Sequence, residues 1–174
     1  MRSSNTGYTL YELLIVVILI VVLGVIAVPK FLRLALDTKI STLEGMKGAM
    51  ASGAEMIFAE AALQDKIEGA QSIELDNITV LIHDGYPVGN WNSAIRYIIG
   101  LDAVGFSSAS AICDAEWCGR GNQTSIPSGV STTSPGRMGK VFPRGYAWND
   151  ECGVYYINHE DGRKPELGIE TADC

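Results

Sequence analysis

Apolar residues are distributed in three different ways along the 174-residue chain. Over residues 13–28 they are unbroken, sixteen in a row; from Leu36 to Ile57 they recur every three or four positions; beyond Ile73 they come in short alternating runs. The first pattern suits a helix crossing a bilayer. From Tyr8 to Val28 it would span about 30 Å, one hydrocarbon core, and lipid admits a lone segment only as a helix. The second pattern, Leu36, Ile40, Leu43, Met46, Met50, Gly53 and Ile57, is one stripe of an amphipathic helix. Lys39, Glu44, Lys47 and Glu55 fall away from that stripe. Together the two patterns predict a single rod ending near Leu63, roughly 80 Å long. Small residues between Gly45 and Ala54 narrow its second half for close packing, and Met46 and Met50 read as core filler. The weakest point should lie between Gly24 and Pro29, because proline removes a backbone donor and crowds the preceding turn.

The third pattern predicts a small head. Residues 64–72 read as a loop. Ile73, Leu75, Ile78, Val80 and Ile82 predict one or two strands interrupted at Asp76-Asn77, and Asp84-Gly85 a turn. Asn92 or Ser93 is positioned to cap a short helix carrying Ile95, Ile98 and Ile99, stopped by Gly100. Residues 103–139, rich in Gly, Ser, Thr, Ala and Pro, read as a long surface excursion. Residues 141–142 and 146–148 suggest strand fragments, and residues 154–157 form the clearest strand. The expected class is therefore α+β: one long helix packed on a small antiparallel sheet.

Composition narrows the function. The net charge of −7 and the absence of a basic stripe argue against nucleic acid as the main partner. Four cysteines in a chain with an export-type anchor read as two disulfides formed in an oxidising compartment. Of the three possible pairings, the sequence-local one joins Cys113 to Cys118 and Cys152 to Cys174. No Ser/His/Asp set, paired carboxylates, phosphate loop or metal-ligand spacing stands out, so neither catalysis, a cofactor nor a metal is expected. His159-Glu160-Asp161-Gly162 reads as an exposed hairpin turn, His83 as a strand end, and Trp117, Tyr146 and Trp148 as local core beside the disulfides.

The amino-terminal boundary carries the most chemistry. A secretory signal would place its small-residue cleavage site after the apolar run; here Gly7 lies before it, so cleavage at Gly7 leaves the hydrophobic segment on the mature chain. Arg2 puts the preceding residues on the cytoplasmic side. Glu12 is the one charge in the segment, and a carboxylate in lipid calls for a cation. After cleavage, the Tyr8 amine would lie one helical turn away.

Gly7-Tyr8-Thr9-Leu10-Tyr11-Glu12 followed by the apolar run resembles the amino terminus of type IV pilins, whose pattern is Gly-Phe-Thr-Leu-x-Glu; Tyr8 stands where Phe is usual. Pro29-Lys30-Phe31-Leu32, Gly85-Tyr86-Pro87 and the ending from Cys152 to Cys174 extend the resemblance to the type IVa class. It implies a leader, residues 1–7, removed by a prepilin peptidase that also N-methylates Tyr8. It further implies an assembly role for Glu12, a helix able to unwind near Gly24 and Pro29, and a carboxy-terminal loop closed by Cys152 and Cys174. The organisation expected is an assembly helix over 8–29, an amphipathic half over 30–63 and a head over 64–174. Partners would be further copies, minor pilins, the peptidase, the inner-membrane assembly machinery and surface glycans. The chain would be single-pass in the bacterial inner membrane before assembly, and part of an extracellular fibre for adhesion, biofilm formation or motility afterwards. A secretion pseudopilin shares this amino terminus but usually lacks the disulfide loop; a membrane-anchored receptor or enzyme domain is the third reading.

Overall fold

The computed structural model describes residues 9–100, 104–105 and 108–174. Gly7 and Tyr8 therefore lie outside the described residues. Helix α1 runs Leu10–Leu63, through Gly24 and Pro29 without a break. The chain divides into two compact units, Met1–Lys39 and Ile40–Cys174.

In the second unit the helix buries one stripe: Leu43, Met46, Met50, Ala54, Ile57 and Ala61. Leu43, Met46, Met50 and Ile57 lie on the predicted stripe; Ala54 and Ala61 join it at steps of three and four, Ile40 and Gly53 are half-buried, and Leu36 is exposed. At Gly53 a Cβ would collide with the carbonyl oxygen of Ile98, so the missing side chain sets that approach.

Two sheets complete the head. The first has the order β1 (Ala70–Leu75), β2 (Ile78–His83), β3 (Tyr86–Pro87). Asp76 and Asn77 both have positive φ, as do Asp84 and Gly85, which makes two tight turns of the kind that suit the twist of a hairpin. Strand β1 begins at Ala70, so the loop expected over 64–72 ends three residues early. Its antiparallel register with β2, Ala70 opposite His83 through Leu75 opposite Ile78, draws those polar residues into the ladder.

The second sheet has the order β4 (Val104–Gly105), β5 (Trp117–Gln123), β6 (Arg137–Pro143), β7 (Gly153–Asn158), β8 (Glu166–Glu170). Strands β5 to β8 pair antiparallel, while β4 pairs parallel to β5. Strand alternation divides its residues between two cores. Val141, Val154 and Tyr156 face the cluster that contains the α1 stripe. Met138, Phe142 and Ile157 face a second cluster with Cys113, Cys118, Ile126 and Trp148.

Three expectations are corrected here. The supposed surface excursion over 103–139 contains β5 and the start of β6, and Cys113, Trp117, Cys118, Ile126 and Met138 are buried. Strand β5, Trp-Cys-Gly-Arg-Gly-Asn-Gln, lacks apolar alternation because glycines occupy its inward positions. A Cβ at Gly119 would fall inside the Trp91 ring, and one at Gly121 would meet the Trp91 backbone. The short helical segment is capped by Asn90, not Asn92 or Ser93: its side chain accepts from the N–H groups of Asn92 and Ser93. Residues 91–95 form a wide π turn that continues into α2 (Arg96–Ile98). Gly100 follows with φ +62°. Residues 146–148 are buried or half-buried but form no strand.

Candidate functional site

Thr9 and Glu12 begin helix α1. The Glu12 N–H donates to Thr9 Oγ1 at 3.3 Å, and the Thr9 N–H donates to Glu12 Oε2 at 3.4 Å. Thr9 Oγ1 also donates to Glu12 Oε2 at 3.3 Å. This reciprocal pair, threonine at the N-cap and glutamate three residues on, is a capping box. It satisfies two of the four N–H groups that a helix start leaves without partners. Glu12 thus has a local use that its pattern with the apolar run did not reveal, although Thr-x-x-Glu was there to be read.

The segment Leu10–Val28, which includes Glu12, has a mean hydropathy of 3.1 and none of it is buried. The large residues from Leu13 to Val28 are 40–72% exposed. Apolar surface exposed on every side of a helix lacks the one-sided pattern of a helix lying on a core. It is long enough to cross a bilayer.

The head is fastened by polar groups that the residue pattern did not single out. Lys140 on β6 is fully buried. Its ammonium donates to the carbonyls of Trp148 and Asp150, both at 2.8 Å, and to Glu170 Oε2 at 2.7 Å. Three donors therefore meet three acceptors. Glu170 Oε1 accepts from the Ser128 N–H at 3.2 Å. Burial pushes the Lys140 pKa down, and the bond and charge of Glu170 only partly restore it. The Trp148 ring has the Lys140 ammonium and the Arg120 guanidinium each 5.4 Å from its centre. Together with 95% burial, this makes Trp148 part of the core, as expected.

A second fastening joins the two sheets. Tyr156 Oη donates to the Pro87 carbonyl at 2.7 Å, and Asn158 Nδ2 donates to the same carbonyl at 3.1 Å. Asp84 ties three segments: Oδ1 accepts from the Gly69 N–H at 2.8 Å, and Oδ2 from the Gly162 N–H at 3.0 Å beside His83 Nδ1 at 2.8 Å. Burial alone would raise the Asp84 carboxyl, but donors from Gly69, His83 and Gly162 outweigh it and hold its pKa below the usual value.

The cysteines pair Cys113 with Cys118 and Cys152 with Cys174, with Cα–Cα separations of 5.7 and 5.0 Å. The first closes the entry to β5. The second ties the residue before β7 to the end of the chain, beside Tyr146 Oη donating to the Cys174 carbonyl at 3.1 Å. The turn after β7 is exposed at Asp161 and Gly162, as expected, but His159 within it is only 6% exposed. The reason is that Thr132 and Thr133 of a separate loop close over its ring.

A cleft of about 400 Å³ lies between the π turn and β5, bounded by Asn90, Trp91, Asn92, Gly121, Asn122 and Gln123. Arg120 and Gly105 complete its lining, so its walls are amide groups, backbone, an indole and one guanidinium, not an acid–base pair. Among the described residues no group of three or more His, Cys, Asp or Glu side chains could hold a metal ion.

No protein-family profile, no curated protein sequence and no solved structure matches this chain.

Proposed function

We propose that this chain is a type IV pilin, a structural subunit that polymerises through its amino-terminal helix into a surface fibre. The observation that carries the reading is the apolar half of α1: Leu10–Val28 exposes its side chains all round and starts at a lone carboxylate. Such a surface needs cover from lipid while the subunit is stored and from other helices once it is assembled. A fibre subunit requires both environments of one segment. The motif ending at Glu12, the single continuous helix and the disulfide-closed carboxy terminus support the same reading.

On this reading a prepilin peptidase removes residues 1–7 and methylates the Tyr8 amine. The mature subunit waits in the inner membrane with its head in the oxidising compartment. Assembly machinery then moves it into a fibre that serves adhesion, biofilm formation or motility. Glu12 stays in low dielectric throughout, where an amine within about 4 Å attracts it strongly even at an effective dielectric near 20. The partner is the Tyr8 amine of a neighbouring subunit. The test is microscopy of sheared surface material with mass spectrometry of the fibres. A mature chain beginning at N-methyl-Tyr8 within filaments is expected, and cells that display the processed chain but no filament containing it would overturn the proposal.

A further inference from the structure

We infer that His159 is a proton-operated latch on the loop of residues 131–136, a device that stands apart from the filament reading. This loop enters β6. Its start is held by the Ser125–Ser131 bridge and by the Thr132 N–H donating to the Thr124 carbonyl at 2.9 Å. Its middle is held by His159: the Thr133 N–H donates to His159 Nδ1 at 3.2 Å, and Thr133 Oγ1 lies 3.1 Å from the same nitrogen. Thr132 Oγ1 lies at 3.5 Å. The loop seats closely, since a Cβ at Gly136 would press on the Asn158 carbonyl, Thr132 Oγ1 and His159 Cα.

A backbone N–H can only donate, so Nδ1 must be bare and the neutral ring must carry its proton on Nε2. Nε2 is buried without a hydrogen-bond partner, 3.6 Å from Glu166 Oε2 on β8. That tautomer also argues against a metal at Nε2, because a ligating imidazole keeps its proton on the other nitrogen. A second proton can go only to Nδ1, where it would confront the Thr133 N–H, donor against donor. The ring then loses the backbone tether, although Thr133 Oγ1 can turn to accept.

Charged groups of both signs stand around the ring. Glu166 faces Nε2, and Asp161 Oδ2 accepts from Thr133 Oγ1 at 3.3 Å. Glu160 is next in the chain. Arg163 opposes them from 3.5 Å beyond Thr133 Oγ1, but is itself paired with Asp161 at 2.7 Å. A proton on Nδ1 and the Thr133 N–H contact therefore exclude each other. The latch is closed when His159 is neutral and open when it is charged.

The test uses the full chain in detergent micelles. Nitrogen-15 shifts of the imidazole near pH 7.5 should report the Nε2–H tautomer. Amide-exchange protection of Thr133, corrected for intrinsic rates, should fall about fivefold or more between pH 7.5 and about pH 5, either side of the ordinary imidazole range. Protection of Tyr156 and Ile157 should stay unchanged. In His159→Gln, whose amide oxygen accepts but does not titrate, the fall at Thr133 should vanish. Should that variant fail to fold, the imidazole nitrogen shifts and the Thr133 protection of the unaltered chain should change over one and the same pH interval. An Nδ1–H tautomer, a smaller fall in the unaltered chain, an equal fall in His159→Gln, or a fall at Thr133 that does not follow the imidazole shifts would overturn the latch.

Discussion

The two halves of helix α1 share a backbone, yet they carry different apolar patterns and meet different surroundings. In Leu10–Val28 the large residues are exposed on all sides. In the half from Ile40 onward, burial is confined to Leu43, Met46, Met50, Ala54, Ile57 and Ala61. The contrast separates two uses of hydrophobicity. An all-round apolar surface takes its energy from whatever surrounds it and specifies no single neighbour. A stripe backed by small residues specifies one neighbour, since each side chain it buries contributes about 1.5–3 kcal/mol only where a matching surface is present. On the proposed reading anchoring and assembly belong to the first half, and folding of the head belongs to the second.

The largest expected effect tests the first half. Because the capping box and the proposed ion pair use the same carboxylate, two substitutions divide them. Glu12→Gln keeps a side chain able to complete the box, while Glu12→Ala removes box and charge together. If the charge drives docking, both variants give processed subunits held in the membrane and few or no fibres by negative-stain microscopy. Normal fibre numbers from Glu12→Gln, with loss only in Glu12→Ala, would assign the residue to the cap alone. Neither change should move the thermal unfolding of the head.

The next effect belongs wholly to the head. Lys140→Met leaves Glu170 buried without its cation, and breaking such a pair costs about 3–5 kcal/mol. Lys140→Met with Glu170→Leu should recover much of the loss, because an apolar pair of similar volume avoids the uncompensated charge. Urea unfolding of the detergent-held chain measures both. A single variant as stable as the unaltered chain would mean that Glu170 finds another donor.

How much of this was legible beforehand follows the same division. Residues 13–28 and the stripe from Leu43 to Ile57 could be read because helical periodicity is local, and so could the Asp76-Asn77 turn. Strand β5 could not, because its inward positions are glycines whose meaning lies in Trp91, far away in sequence. Lys140 was illegible for a related reason: a lysine among apolar residues reads as surface until Glu170 and the carbonyls of Trp148 and Asp150 are brought to it. His159 read as exposed because the loop that covers it comes 26 residues earlier.

Smaller effects come from the bridges. Cys152 and Cys174 are 22 residues apart, and Cys113 and Cys118 are five apart. Loop-closure entropy gives about 3 kcal/mol for the first and about 2 kcal/mol for the second. Paired Cys→Ser variants, compared by urea midpoint, should keep that order. The reverse order would show that the short bridge supports β5 through packing more than through chain entropy.

The smallest effect compares three glycines within the second half of α1 itself. Gly45 and Gly48 have open space where a Cβ would go, whereas at Gly53 the Ile98 carbonyl occupies that position. Alanine at an open helical site should stabilise by roughly 0.5–1 kcal/mol, because it restricts the unfolded chain and meets nothing in the folded one. At Gly53 the same substitution must push the short helix α2 away from α1 or bend a backbone carbonyl, and overpacking of this kind costs about 1–3 kcal/mol. Gly45→Ala and Gly48→Ala should therefore raise the urea midpoint of the head, and Gly53→Ala should lower it. If all three moved it in the same direction, the close approach of α1 to Ile98 would not control packing there. The division between the specified face of the helix and its open face would then have to be redrawn.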